Sequence, residues 1–343
     1  MNKAAALWRA AAPRGVALFI TLGIFGVFLA VQGFDPLAVY ADMVSGAFGS
    51  GFSWENTLSR AAPLMLTAMA TLIPAQLGMV IIGGEGAWLM GGLGAVISGQ
   101  ILGWLPPILG IPLMLLSAAI AGGAWLALAG VGKQLRGVDP TISSLLLYYV
   151  GLGLFLFLVE GPLRDPSTLN KPSTFPIPEV LRIGNLPGLS VHWGLVVGIL
   201  ACVAIFVLIR FTKVGFSARI SGGNSRAASL MGLPQDALVI GACALGGALA
   251  GMAGGIEVAA VHTNANASLH AGIGFSGILV AFLSRQNPLA VIPVAVILGG
   301  IQASGGLLQR RHDLSDASVA VFQGLLFLVL LAAEAWIRRE GEK

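Results

Sequence analysis

Long apolar runs separated by short polar segments recur along the whole chain. A helix needs about 20 apolar residues to cross the hydrocarbon core of a bilayer. Ten runs approach this length, at residues 14–32, 61–82, 86–103, 106–131, 141–160, 193–211, 237–258, 272–284, 288–305 and 317–337. They lack the polar alternation of barrel strands, so helices are expected. The pattern predicts an all-α polytopic membrane protein with about ten transmembrane helices in a single transmembrane domain, residues 1–343.

The eighth run differs from the others. It is short, Gly272, Gly274 and Gly277 crowd its start, and the segment from Arg285 to Pro288 closes it. We expect this helix to be short, broken or re-entrant.

Composition and charge agree with a membrane protein. Hydrophobic residues make up 56% of the chain, charged residues only 10%, and the mean hydropathy is +0.88. Basic residues near span ends tend to stay cytoplasmic. Placing both termini in the cytoplasm puts 13 of the 19 basic residues inside, and the Arg310–Arg311 pair is the main exception. This bias accounts for the net charge of +4, so no nucleic-acid partner is expected.

A polar segment, residues 161–192, joins the fifth and sixth runs and is external in this topology. Six prolines forbid a continuous helix there: Pro162, Pro166, Pro172, Pro176, Pro178 and Pro187. It forms either a small external cap or a simple connecting loop, and the sequence favours neither.

A basic, glycine-punctuated insert, RISGGNSRAASLMG, spans Arg219 to Gly232 on the cytoplasmic side. Ala227, Leu230 and Met231 have helical spacing, which predicts a short amphipathic helix with the serines and Arg226 facing elsewhere. Such a helix fits a groove on a partner protein. The alternative is a helix that lies flat on the inner leaflet.

Motif searches argue against catalysis on this chain. It has no GxxxxGK[ST] phosphate loop, so ATP hydrolysis on this chain is not expected. It also has no HExxH motif, and neither catalytic residues nor a metal site is predicted. Residues 274–277 read GFSG, a protease-like motif, but the only later histidine is His312 in a loop. We interpret these small residues, like the Gly247, Gly251 and Gly255 series, as sites of close helix approach.

Two acidic residues lie at the ends of apolar runs, where an ionisable group is costly and is a candidate for function. Glu85 stands in IIGGEGAWLMGG and Glu257 ends the seventh run. Each either hydrogen-bonds backbone groups in helix packing or lines a solute pathway.

Several segments together resemble the permease subunits of bacterial ATP-binding cassette (ABC) importers for nucleosides and simple sugars, in the branched-chain amino acid and ribose-type permease superfamily. These are GFSARISGGNSRAASLMGL, ALGGALAGMAGGIEV, GIGFSGILVAFLSRQNP and VFQGLLFLVLL, with IIGGEGAWLMGG and GVDPTISSLLLYY upstream. The resemblance covers about residues 60–335. It implies two inversely related helix groups around a central pathway.

The resemblance also implies partners. These are two copies of an ABC ATPase at the cytoplasmic face, an external substrate-binding lipoprotein or periplasmic protein, and a second permease chain. The long segment 161–192 resembles the longer permease of nucleoside systems, so a heterodimer is favoured. ATP and Mg²⁺ would bind the ATPase, with no cofactor on this chain, which would sit in the bacterial cytoplasmic (inner) membrane.

Residue roles follow from the resemblance in the same way. Within a cytoplasmic coupling insert, residues 212–235, the expected contacts with the ATPase are Arg219, Gly222, Gly223, Asn224, Arg226, Ala227, Ala228, Met231 and Gly232. The expected pathway residues are Glu85, Tyr148, Glu257, Phe275 and Gln323. Aromatic rings would stack a base or sugar face and the polar groups would hydrogen-bond the solute.

The chain departs from the family pattern at Ile81, Ala87, Asp139–Pro140 and Tyr148, where the family has Asn, Gln, Asn–Glu and Asn. The solute could therefore be a purine or pyrimidine nucleoside, or a simple sugar such as ribose or galactose. A self-contained channel or secondary transporter is the rival class, but such proteins usually carry more intramembrane charges than this chain has.

Overall fold

The computed structural model describes residues 3–168 and 170–341, and the described residues form helices joined by loops, with isolated bridges but no named strand. The all-α class is confirmed. The α-helices are α1 (Lys3–Val31), α2 (Pro36–Phe48), α3 (Gly51–Ala75), α4 (Gly84–Leu102), α5 (Pro107–Arg136), α6 (Pro140–Glu160), α7 (Gly194–Phe211), α8 (Lys213–Gly223), α9 (Ser225–Leu230), α10 (Gln235–Glu257), α11 (Ile273–Leu283), α12 (Pro288–His312) and α13 (Asp316–Gly341).

Each of the ten predicted runs overlaps one of these helices. Within the described residues, six helices are long and apolar enough to cross a membrane, or seven if the bent pair α1 and α2 forms one span. The polytopic membrane class is confirmed, whereas the count of ten stays a prediction. The eighth run is short, as expected: α11 has 11 residues, about 16 Å of helix.

The second run, predicted over residues 61–82, was placed wrongly. Its helix α3 begins at Gly51 and ends at Ala75. Pro74 lies at its last turn, and Gly78 adopts a left-handed conformation with φ +72° that turns the chain. The hydroxyl of Thr71 donates to the carbonyl of Ile81 at 2.9 Å, which holds the returning segment beside the helix.

Helix α2 was not predicted, because its 13 residues are too few to span a bilayer. It follows α1 after a bend of 116°. Gly33, with φ +88°, makes the turn, Asp35 caps α2 by accepting from the Leu37 N–H at 2.9 Å, and Pro36 occupies the first helical position.

The helices form two compact units, the first made of residues 1–57 and 299–343 and the second of residues 58–298. In the first unit an apolar core includes Phe25, Leu29, Leu308 and Phe322. Asp42 on α2 accepts from Arg311 and, at 2.8 Å, from His312 at the end of α12. The charge of Arg311 is therefore paired with Asp42. This arginine belongs to the Arg310–Arg311 pair that is the main exception to the cytoplasmic bias of basic residues, and a paired charge counts less against that topology.

In the second unit α4, α5 and α10 pack at close range through glycines. A Cβ atom built on Gly251 would lie 2.5 Å from the Ala118 carbonyl oxygen, and one on Gly247 would lie 2.5 Å from the Gly122 carbonyl oxygen. The glycine series on α10 is thus a helix-packing surface, as predicted.

The proline-rich segment, described over residues 161–168 and 170–192, forms a cap on the end of α10. Residues Val258–His262 form a π-helical turn after α10, and carbonyl groups of this turn and of the loop after it need donors. The cap supplies the donors: Ile183 N–H bonds the Ala259 carbonyl at 3.1 Å, Ile177 the Thr263 carbonyl at 2.7 Å and Thr174 the Ala265 carbonyl at 3.0 Å. The segment is therefore a cap and not a simple connecting loop, whereas its external position stays a prediction.

The glycine packing predicts that alanine substitution changes the stability of the protein differently at two positions of α10. Gly251→Ala should lower the free energy of unfolding by about 1–3 kcal/mol, because the new methyl group meets backbone atoms that cannot move freely. The matched control is Gly241→Ala on the same helix. A Cβ atom built there would have no neighbour within 4 Å apart from the adjoining residues and the nearby backbone of its own helix. This substitution should be neutral or stabilising by up to about 1 kcal/mol. Thermal unfolding in detergent measures both, and equal unfolding temperatures would contradict the packing.

Candidate solute site and coupling insert

The start of α4 packs closely against α6 and α11, and glycines there leave room for the neighbouring backbones. A Cβ atom on Gly83 would lie 2.4 Å from the Ser144 carbonyl oxygen, and one on Gly86 would lie 3.0 Å from the Tyr148 Cα atom. On the facing helix, a Cβ atom on Gly274 would lie 2.4 Å from the Glu85 nitrogen. This close approach carries the Glu85 side chain to the start of α11.

Glu85 is fully buried and its carboxylate is bound to the turn that begins α11. Oε1 accepts from the Gly272 N–H at 2.9 Å, and Oε2 accepts from the Gly274 N–H at 2.6 Å. Gly272 has φ +73°, a left-handed conformation that favours glycine. The carboxylate therefore satisfies free donors at a helix N-terminus, where negative charge is stabilised.

His270 extends this network to α6. Its Nδ1 lies 3.2 Å from Glu85 Oε1, and its Nε2 lies 3.3 Å from the Tyr148 hydroxyl. The Tyr148 ring meets Phe275 edge-on with centroids 5.0 Å apart, and Tyr149 at 4.8 Å. Glu85, Tyr148 and Phe275, all predicted as pathway residues, thus lie in one cluster.

The two other predicted pathway residues lie elsewhere. Glu257, at the end of α10, has its Oε1 3.8 Å from His262 Nε2. Gln323 lies on α13 in the first unit, whereas the Glu85 cluster belongs to the second. Their assignment to a solute pathway stays a prediction.

Sequence reasoning did not single out His270, although it joins Glu85 to Tyr148. Its neighbours along the chain, Leu269 and Ala271, give no sign of a site. The indole N–H of the buried Trp88, one turn after Glu85, donates to the Leu269 carbonyl at 3.0 Å and fixes this segment. His270 is thus positioned by α4, far away in the sequence.

A departure from the family pattern also has a structural explanation. Asp139 caps α6, accepting from the N–H groups of Thr141 at 2.8 Å and Ile142 at 3.2 Å, and Pro140 takes the first helical position. The N–H groups of Ile142 and then Thr141 hold the pKa of the Asp139 carboxyl below its usual range. Asp139 and Pro140 together begin the helix that carries Tyr148.

The coupling insert, residues 212–235, contains α8 and α9, which are joined at Asn224. The Asn224 side chain accepts from the Ala227 N–H at 3.0 Å, so it caps α9, and its backbone N–H bonds the Ile220 carbonyl at the end of α8. A Cβ atom on Gly222 would lie 2.2 Å from the Gln76 carbonyl oxygen. Gly222 therefore packs against the loop after α3, and Asn224 shapes the insert.

The helix predicted in the insert is present as α9, and its partner contacts stay a prediction. Ala228 is its buried residue, whereas Met231 and Leu230 are exposed, Leu230 to 86%. Arg219, Gly223, Arg226 and Gly232 are also exposed, and Ala227 is partly buried. The insert presents two apolar side chains and two arginines together, a combination suited to a protein partner.

The chain matches the family described as "Branched-chain amino acid transport system / permease component" over residues 53–333. It belongs to this permease family. The matched range contains the Glu85 cluster, the coupling insert, Glu257 and Gln323. A permease is a transport component, and the resemblance stated from the motifs is confirmed.

Curated relatives of this permease extend over nearly its whole length. The glucose ABC transporter permease of Haloferax volcanii is 30% identical, covering 96% of this chain and 90% of its own length. The guanosine ABC transporter permease of Bacillus subtilis is 27% identical, covering 94% and 93%. The nucleoside ABC transporter permease of Lactococcus lactis is 24% identical, covering 96% of both chains.

The binding of Glu85 to the α11 turn predicts a stability effect. Glu85→Gln should lower the free energy of unfolding by about 1–3 kcal/mol, because the amide NH₂ must face an N–H donor and leaves it unpaired. Glu160→Gln, at the exposed end of α6, is the control for loss of one carboxylate. Thermal unfolding in detergent measures both, and a Glu85→Gln protein as stable as the control would refute the role of Glu85.

Proposed function

We propose that this permease is the transmembrane subunit of an ABC importer and forms the translocation pathway for a nucleoside or a related small polar solute. The observation that carries the proposal is the coupling insert, α8 and α9, whose exposed Leu230, Met231, Arg219 and Arg226 lack covering residues. Apolar side chains beside uncompensated positive charge suit an acidic groove on another protein. Residues 212–232 contain no Asp or Glu.

The partner at this surface is an ABC ATPase, present in two copies, which binds ATP and Mg²⁺. The permease itself holds no cofactor. A second, homologous permease chain completes the pathway as a heterodimer, and a substrate-binding lipoprotein or periplasmic protein delivers the solute from outside. All three assignments rest on the family and on the ABC permeases among its relatives.

The complex lies in the bacterial cytoplasmic membrane, with both termini of this chain in the cytoplasm. This orientation places the coupling insert inside and the cap, residues 161–192, outside. The whole chain acts as one permease domain, and the two compact units are parts of it.

A simple sugar is the second candidate for the solute. The 30% identity with a glucose permease favours it, whereas the guanosine and nucleoside permeases favour a nucleoside. Both classes are neutral, carry hydroxyl groups and have a face that packs on aromatic rings. These properties match the aromatic and polar Glu85 cluster.

A chain of contacts offers a route from the ATPase to the solute. Gly222 of the insert packs on Gln76, and the Gln76 side chain donates to the Gln286 carbonyl at 3.4 Å, just beyond α11. The opposite end of α11 is the turn held by Glu85. Closure of the ATPase dimer would press on the insert and shift α11, switching the pathway between outward-open and inward-open states.

The insert predicts a loss of partner binding on charge reversal. The double variant Arg226→Asp, Met231→Asp should reduce the ATPase retained by the tagged permease about tenfold or more, because it removes an apolar anchor and inverts a charge. Quantitative mass spectrometry after purification in mild detergent measures the retained subunit.

Val138→Asp is the matched control, since Val138 is an exposed apolar residue in the loop between α5 and α6, on the same predicted side. It should retain the ATPase at the wild-type level. Unchanged ATPase in the double variant would remove the docking assignment, and recovery of the wild-type permease without any ATPase would overturn the proposed function.

A further inference from the structure

The Glu85 carboxylate fixes which ring nitrogen of His270 carries the proton. Glu85 already accepts from two backbone N–H groups, and its Oε1 is 3.2 Å from His270 Nδ1. A carboxylate only accepts hydrogen bonds, so Nδ1 must be the donor. In the neutral ring, Nε2 is then an acceptor, and the Tyr148 hydroxyl donates to it.

The two ring nitrogens of His270 have different partners, a carboxylate at Nδ1 and a neutral hydroxyl at Nε2. Glu85 is fully buried, whereas the His270 side chain is 34% exposed. The Nε2 contact with the Tyr148 hydroxyl is 3.3 Å and the Nδ1 contact with Glu85 is 3.2 Å, but only the second goes to a carboxylate, and hydrogen bonds to a charged group are about twice as strong as neutral ones. The bond at Nε2 is therefore the one that another donor can replace at least cost.

We propose that Nε2 of the neutral His270 ring accepts a hydrogen bond from the transported solute, in place of the Tyr148 hydroxyl, and that Glu85 is the positioning residue that selects this tautomer by accepting from Nδ1. The solute class is a neutral molecule with a hydroxyl or N–H donor, and a phosphorylated form is rejected. Glu85 already occupies the N–H groups of Gly272, Gly274 and His270 Nδ1, and these neutral donors leave its charge of −1 in place, so the cluster disfavours a second anion. The inference rests on the proposed function and names the solute contact within it.

Two variants separate this role from a structural one. His270→Asn keeps an N–H donor near the position of Nδ1, so it can still bond Glu85, but it has no acceptor at the position of Nε2. His270→Gln places an amide oxygen near Nε2 and loses the bond to Glu85. A residue that contacts the solute is rescued by Gln, whereas one that only supports Glu85 is rescued by Asn.

The experiment introduces each variant at the chromosomal locus of the source organism, so that all partner subunits are present. Uptake of labelled guanosine, uridine, ribose and glucose identifies the solute that depends on this chain. For that solute, His270→Asn should raise the half-saturating concentration roughly tenfold, the effect of one lost hydrogen bond, while His270→Gln stays near the wild type. The phosphorylated form of the solute should compete at least about tenfold more weakly than the unlabelled solute.

The possible outcomes separate a failure of the His270 inference from a failure of the proposed function. A wild-type half-saturating concentration in His270→Asn, the reverse order of the two variants, or equal competition by the phosphorylated form would each overturn the inference. If deletion of the chain leaves uptake of all four solutes unchanged, the proposed function itself fails, and the inference fails with it.

Discussion

The architecture depends on one constraint, that backbone N–H and C=O groups inside a membrane protein must find partners within the protein. Two helices of the second unit break this regularity. Helix α11 is too short to span a bilayer, and the Glu85 carboxylate satisfies its first N–H groups. Helix α10 continues into a π turn, and the cap donates to carbonyl groups of this turn and of the loop after it. The segment between the two breaks, residues 263–272, is thereby held at both ends.

This segment contains His270, the residue of the proposed solute contact, and it is bound by the buried Glu85. A buried carboxylate is costly unless it is hydrogen-bonded, so Glu85 persists only because the glycines of α4 and α11 allow close approach. Once in place it aligns His270, and His270 reaches Tyr148 on a third helix. An apolar chain with few charges thus gains one polar, aromatic cluster suited to a neutral solute. The cap binds the other end of the same segment, at the carbonyl groups of Thr263 and Ala265.

The apolar runs, the glycine contacts and the short eighth helix could be predicted because each depends on local composition or spacing. Helix α2 was missed because 13 residues are too few to be noticed as a span, and α3 was misplaced because the apolar run continues beyond Gly78, where the backbone turns. His270 could not be found, since its bond to Glu85 joins residues 185 positions apart. The burial of Ala228 in α9 was not foreseen, because it depends on what the short helix packs against and not on the spacing of its apolar residues.

Solute flux in proteoliposomes tests the central claim, that this chain is a pathway driven by a separate ATPase. Vesicles are prepared with the purified chain alone and with the complex isolated from its own membrane, each loaded with or without ATP and Mg²⁺ on the cytoplasmic side. Our account predicts ATP-dependent accumulation of a nucleoside or sugar by the complex and no flux through the chain alone. Flux through the chain alone, independent of ATP, would contradict it and establish a channel or secondary transporter.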